Sequence, residues 1–409
     1  MPPEPGSLVL NPHLQVRLER ETGSTNALTV WAPVKGESLK VTRIERSVEP
    51  QLFGTLVVHL ATGTLTAAAL TAEERARLAG IGVLVPEDRI STPVSFACDI
   101  DDPPLDLVPS RARRSVADLD APDLIAAATL RHLGTDGPTR EMRGRLELPN
   151  RFRKDRSWIV IEDPQTGTPA FYSCGHDAAG AVDTLRPGEP APPGLPPGIR
   201  QQLLEANVIH SRAAAAAAAE LRDLARASAR TALRESRYAV LPQVIAPLQV
   251  AAIRRYYRSL IREGLLPFDE TEWHDRFYSF RDSITYFYQQ QLTDLVATIA
   301  GERVKPSFSC FTSYYPGSVL PPHRDRAQCE YGISVLVDHS PEPKDVSPWP
   351  LYVQPPGSTA ATPISIGLGD AIVYRGREVS HFRERLADAD YCSYWFVFYV
   401  PETFDGPLD

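Results

Sequence analysis

From residue 305 onward the chain keeps no helical period. Six apolar runs follow one another: "SFSCFTSYYP" (307–316), "YGISVLVDHS" (331–340), "PLYVQP" (350–355), "AIVYRG" (371–376), "VSHFRERL" (379–386) and "CSYWFVFYV" (392–400). Each has the length of a strand, is rich in β-branched and aromatic residues, and is set off from the next by turn-forming residues. Strands in this number cannot all be left with open edges, so the pattern predicts a closed or sandwiched sheet. Two segments upstream, 247–264 and 282–301, have apolar positions three and four apart and end on Gly264 and Gly301. They predict helices that pack on one face of that sheet.

The first 210 residues have a different rhythm. "ALTVWAPV" (27–34), "LKVTRI" (39–44) and "LFGTLVVHL" (52–60) read as strands. "TAEERARLAGIG" (71–82) reads as a short helix with Thr71 as N-cap and Glu74 at the capping-box position. "RSWIVIED" (156–163) and "TPAFYSC" (168–174) predict a hairpin around "PQTG", followed by a Pro/Gly-rich linker at 186–198 and a helix. The stretch 70–84 aligns without a gap over 195–209: Leu70, Arg75, Leu78 and Val83 meet Leu195, Arg200, Leu203 and Val208. This suggests a duplicated strand–helix–strand unit, winged-helix-like in outline. Residues 211–236, with seven consecutive alanines, predict one long connecting helix. The expected organisation is therefore an α+β fold: an N-terminal α+β subdomain (1–120), a second (121–210), the connecting helix (211–236) and a strand-rich domain (237–409).

Composition removes several classes of function. Net charge is −8 with 23% charged residues, which argues against general binding to a phosphate backbone. No stretch reaches 18 apolar residues, so no membrane helix is expected, and Met1–Pro12 lacks the pattern of a signal peptide. The five cysteines are scattered and odd in number, which suits free thiols in a reducing cytoplasm.

Chemistry concentrates in "LPPHRDRAQCEYGISVLVD" (320–338). His323 and Asp325 are two apart, and residues two apart in extended backbone point to one side. A third donor must come from another strand, and His381 in "YRGREVSHFRERL" is the candidate. Two histidines and one carboxylate on one face leave half of an octahedron open, the donor set of Fe(II) oxygenases. Arg383 and Arg385 share strand parity with His381, so both are candidates to face inward and hold an anion. Cys329 is better read as a core residue than as a ligand.

Residues 305–401 resemble the 2-oxoglutarate/Fe(II)-dependent dioxygenases. "YYPGSVLPPHRD" is similar to the prolyl-hydroxylase-like branch, and "LGDAIVYRGREVSHFRERL" to the Gly-Asp turn, strand and distal ligand of the superfamily. The resemblance covers about 240–401. It implies a double-stranded β-helix (jelly-roll) core with supporting helices, and His323, Asp325 and His381 as ligands of Fe(II). It also implies 2-oxoglutarate and O2 as co-substrates, with ascorbate as accessory reductant. Tyr314 matches the tyrosine that contacts 2-oxoglutarate in that branch. The sequence departs from the pattern on the last strand, where many members carry the basic anchor for 2-oxoglutarate and this chain has Asp390, Tyr391 and Cys392. The anchor is then sought in Arg383 or Arg385. The implied reaction is hydroxylation. The extra N-terminal half suits a peptide or protein substrate. The alternatives are a free amino acid or small metabolite, with that half forming a homodimer contact or a lid, and a non-catalytic protein that keeps only the barrel.

Overall fold

Alternating and helical apolar periods in this sequence resolve into 21 strands and a smaller set of helices among the described residues. The computed structural model describes residues 8–11, 14–21, 24–37, 39–62, 70–90, 94–113, 123–140, 152–271, 274–280 and 282–408. They fall into two compact units. One takes those within 1–95 and 258–267, the other those within 96–142, 152–257 and 268–409.

In the first unit, β1 (Leu8–Leu10) pairs with β5 (Leu84–Pro86). Between them, β2 (Gln15–Glu21), β3 (Ser24–Ala32) and β4 (Lys40–Glu45) form an antiparallel sheet, followed by helices α1 (Pro50–Thr62) and α2 (Ala72–Gly80). The run 52–60, expected as a strand, lies in α1. Its buried positions Leu52, Phe53 and Leu56 are spaced for one side of a helix and join Leu28, Val30, Ile44 and Leu78 in one core. The capping box on α2 forms as expected, with Thr71 and Glu74 bonding to each other's backbone N–H.

The second unit begins with a similar order of elements. β6 (Leu124–Ala126) pairs with β10 (Ile209–Ser211), and between them lie the sheet β7 (Arg131–Gly134), β8 (Ser157–Glu162), β9 (Pro169–Cys174) and helices α3 (His176–Val182) and α4 (Pro197–Glu205). The corners after α2 and α4 also close alike. Val83 N–H donates to the Leu78 carbonyl and Val208 N–H to the Leu203 carbonyl, both at 2.9 Å. Gly82 and Asn207, at matching places, both have positive φ (77° and 54°). Helix α5 (Arg212–Ser236) follows as one uninterrupted helix.

The strand-rich part forms two antiparallel sheets. The larger has the order β11-β19-β16-β21-β14-β13-β12, from β11 (Tyr238–Leu241), β12 (Phe268–Glu270), β13 (Asp275–Phe280), β14 (Val304–Tyr314), β16 (Tyr331–Ser340), β19 (Ala371–Arg375) and β21 (Tyr391–Pro401). The smaller has the order β15-β20-β17-β18, from β15 (Leu320–His323), β17 (Leu351–Gln354), β18 (Thr362–Ile364) and β20 (Ser380–Arg383). Side chains alternate across the larger sheet. Cys310, Thr312, Tyr314, Tyr394 and Phe396 share one face, and Phe311 and Trp395 the other. The second face is covered by helices α6 (Pro247–Arg262) and α7 (Ser283–Gln291): Tyr257 stacks on Phe311 at 3.7 Å, and Tyr288 lies 4.9 Å from Trp395.

The segment 282–301, expected as one helix, is two: α7 and α8 (Thr293–Ala300), broken at Leu292. The Gln289 carbonyl is occupied by the Tyr399 and Thr293 hydroxyls (2.7 and 3.2 Å), which compete for the acceptor the helical ladder needs. Described residues between 152 and 174 share a core with this part. Phe171 lies 4.7 Å and Phe152 5.0 Å from Phe287, and Gln249 donates to the Phe171 carbonyl.

Candidate metal centre

β15 and β20 pair so that His323 lies directly opposite His381. Their ring centroids are 4.3 Å apart. β15 ends at His323, so Asp325 is not placed by strand parity. Its N–H donates to the Gly376 carbonyl (2.9 Å), and this bond from the turn after β19 swings the carboxylate back between the imidazoles. Asp325 Oδ1 is 3.7 Å from Nε2 of each histidine, and one donor atom from each residue lies within 4.8 Å of the others.

The ring nitrogens are already sorted. His323 Nδ1 donates to the Pro321 carbonyl (2.9 Å) and His381 Nδ1 to the Val379 carbonyl (3.3 Å). A carbonyl can only accept, so each Nδ1 carries a proton and each Nε2 is the nitrogen turned to the centre. Burial, aided by His323, pushes the His381 pKa down to about 3, so the ring is neutral as a ligand must be. Burial pushes Asp325 up to about 6 against the pull of His323, and its Oδ2 is buried without a hydrogen-bond partner. A buried carboxylate oxygen without a hydrogen-bond partner, beside the Nε2 atoms of two imidazoles, suits a bound cation. A divalent ion supplies one, and the two-nitrogen, one-carboxylate set suits Fe(II).

Gly376 makes this approach feasible. A Cβ there would lie 2.1 Å from Asp325 Oδ2 and 2.7 Å from the Cys329 carbonyl oxygen. Tyr374, two residues earlier, sets its ring 4.7 Å from His381. No local pattern marks Tyr374 as a neighbour of the centre; for Gly376 the signal in the sequence is a glycine that opens "GRE" (376–378), a turn ahead of the His381 strand.

Arg383 lies one strand repeat beyond His381 on β20, roughly 6.6 Å along the same face. It is 1% exposed. Its Nη1 donates to the Trp349 carbonyl (2.7 Å), but Nε and Nη2 have no partner. The guanidinium sits between aromatic rings, 4.9 Å from Trp349 and 4.1 Å from Tyr394. Two cation–π contacts contribute about 1–4 kcal/mol together. Burying an ion costs several kcal/mol and the group stays charged, so these contacts do not complete its environment. Two vacant donors beside the metal donors suit a carboxylate.

Arg385 lies elsewhere. β20 stops at Arg383, and Arg385 is exposed, donating to the Gly317 carbonyl (2.9 Å). Tyr314 is buried on the inner face, 5.2 Å from Trp349. Trp395 faces the helices, with its indole N–H donating to the Tyr257 hydroxyl (3.1 Å). Cys329 packs with Cys310, Phe308 and Phe398, and burial raises its thiol to about 12, so it is a neutral core group.

No family model matches the chain, and no curated protein matches it. Among solved structures, those similar to this chain include 2OG-Fe(II) oxygenases, prolyl hydroxylases among them, and a non-heme alpha-ketoglutarate-dependent epimerase and carbocyclase. A 2OG-Fe(II) oxygenase-family oxidoreductase from Burkholderia pseudomallei shares 14% identity over 45% of this chain and 92% of its own, with a TM-score of 0.36. A prolyl-4-hydroxylase from Pseudomonas putida shares 16% over 43% of this chain and 99% of its own, with a TM-score of 0.36. A prolyl hydroxylase from Trichoplax adhaerens, in complex with a peptide fragment, shares 8% over 45% of this chain and 92% of its own, with a TM-score of 0.38.

Proposed function

We propose that this chain is a 2-oxoglutarate- and Fe(II)-dependent oxygenase that hydroxylates a C–H bond, with its metal held by His323, Asp325 and His381. The observation that carries the reading is the pair of unmet charges in one interior: the orphaned Asp325 oxygen and, beyond it on the same face, the unpaired Arg383 guanidinium. One needs a cation and the other an anion, and a metal chelated by a dicarboxylic oxo acid answers both. Iron with that co-substrate and O2 supplies an oxidant strong enough to attack an unactivated C–H bond.

The chain's own part is to bind and orient. The two Nδ1–H bonds hold both imidazoles in the ligating tautomer. Arg383, held between Trp349 and Tyr394, receives the distal carboxylate, with Tyr314 beside it. The apolar patch of Phe308, Cys310, Cys329 and Phe398 keeps water from this interior. The core is read as a double-stranded β-helix made of the two antiparallel sheets, a reading supported by His381 and Arg383 on the smaller sheet meeting Tyr374 and Tyr394 on the larger.

The substrate is read as a residue of a peptide or protein. Support comes from the two similar runs of elements ahead of α5, which add three-stranded sheets; Cys98 and Ile100 already bond to Ser173 of β9, which leaves β7 as the outer strand of the second sheet suited to an extended chain. Their matching order and corners support a duplicated unit. Five free, buried cysteines fit a reducing compartment such as the cytoplasm. No helix among the described residues is long and apolar enough to cross a membrane.

The test is succinate release by the full chain from 2-oxoglutarate, with and without Fe(II). Iron-dependent succinate that disappears in His381→Ala supports the reading. A chain that binds no metal and forms no succinate is the non-catalytic alternative.

A further inference from the structure

Outside the metal centre, one cavity of about 460 Å³ has an unusual wall. It is lined by Arg230, Thr231 and Arg234 of α5, by Ile299–Gly301 at the end of α8, and by Arg375 at the end of β19. Tyr374 turns inward to His381, so its neighbour Arg375 points to the opposite side of the sheet. The cavity is therefore separate from the metal centre.

Three arginines line this one space, Arg230 and Arg234 from exposed positions on α5 and Arg375 from the end of β19. No carboxylate among the described residues lies within ion-pair distance of Arg230. Its guanidinium lies where Gly301 has no side chain, 3.3 Å from the place a Cβ would take. Arg234 reaches only Glu235 at 3.3 Å, both side chains being largely exposed, a pairing of little strength. Arg375 uses Nη1 alone to meet Glu330 (3.4 Å) and Glu378 (3.1 Å), and its Nε is buried without a partner. Both glutamates are shared further, Glu378 with Arg237 and Glu330 with Arg377. Glu302, next to Gly301, accepts a hydrogen bond from the Tyr331 hydroxyl. The lining itself carries three arginines and no acidic residue.

We propose that this cavity binds a phosphate-bearing small molecule. The three arginines come from two elements, α5 and β19, and a phosphate, with more charge and more acceptor oxygens than a carboxylate, can accept from more than one guanidinium at once. The Thr231 hydroxyl adds a neutral donor. The volume exceeds what an inorganic oxyanion fills, leaving room for an organic remainder along Leu233 and Ile299.

The test is calorimetric titration of the full, metal-free chain with inorganic phosphate, pyrophosphate and citrate at constant ionic strength. One saturable site for phosphate, tighter for pyrophosphate, is expected. The double substitution Arg230→Gln, Arg234→Gln should weaken pyrophosphate binding at least tenfold. Arg262→Gln, an exposed arginine outside the cavity, should leave it unchanged, as should the thermal midpoint of the double variant without anion. Citrate binding more tightly than pyrophosphate would overturn the phosphate assignment. No saturable binding of any of the three, or equal loss in the Arg262 variant, would overturn the site.

Discussion

Gly376→Ala puts the geometry of the centre under direct strain. A Cβ at 376 would stand 2.1 Å from Asp325 Oδ2, about 1 Å inside the 3.0 Å limit of real Cβ contacts. The other close atom, the Cys329 carbonyl oxygen at 2.7 Å, is backbone and cannot swing aside, so the carboxylate must move. A shift of about 1 Å exceeds the roughly 0.5 Å within which a binding constellation keeps its function. Metal affinity should fall toward the upper end of the 10–100-fold range seen when ligand support is disturbed, about 2.8 kcal/mol. Folding stability should fall by about 1–3 kcal/mol from overpacking. Gly357→Ala is the control. Gly357 has φ +78° and open space around it, so alanine there pays about 1–2 kcal/mol of backbone strain without touching the centre. Titration with Mn(II), followed by calorimetry on both variants, separates the two costs. Equal Mn(II) affinity in both variants would refute the reasoning.

Three further outcomes follow from the same structure. Arg383→Met removes two charged hydrogen bonds to a bound carboxylate, roughly 3–6 kcal/mol, so 2-oxoglutarate affinity measured by calorimetry should drop more than 100-fold while the ligand-free chain melts no lower; unchanged affinity with a lower midpoint would make the cation purely structural. Burial raises the pKa of Asp282, the N-cap of α7, against hydrogen bonds from Thr285, Tyr257 and Ile284. Its contribution is therefore full below about pH 4, the unfolded value, and is lost as pH rises through the higher folded value. The melting advantage of wild type over Asp282→Asn should shrink from pH 4 to pH 8, and an advantage that grows instead contradicts the sign. Deleting residues 1–210 should unfold the strand-rich part, because Phe152 and Phe171 pack on Phe287. A soluble fragment with a cooperative transition would show that this packing is dispensable.

The strands were legible because they alternate or run apolar for the right length, and the meeting of His323, Asp325 and His381 because the pair two residues apart stands with a later histidine on strand-like segments. The mechanism of convergence was not legible. Parity suggested that Asp325 and Arg385 lie on strands, yet each follows a strand end, where backbone hydrogen bonds rather than pleat decide direction. Arg383, still on its strand, does point inward as parity requires. The 52–60 run was misread because a short apolar segment carries both periods, and only its partners in the core select the helix. The break at Leu292 depends on the Tyr399 hydroxyl, 110 residues from its acceptor, which no local pattern contains.

Iron binding by the full chain under anaerobic equilibrium dialysis, beside Asp325→Ala, tests the centre most directly. The account predicts one Fe(II) per wild-type chain and at least a hundredfold weaker retention in the variant, with both giving the same circular dichroism. One tightly held Fe(II) in Asp325→Ala would contradict it.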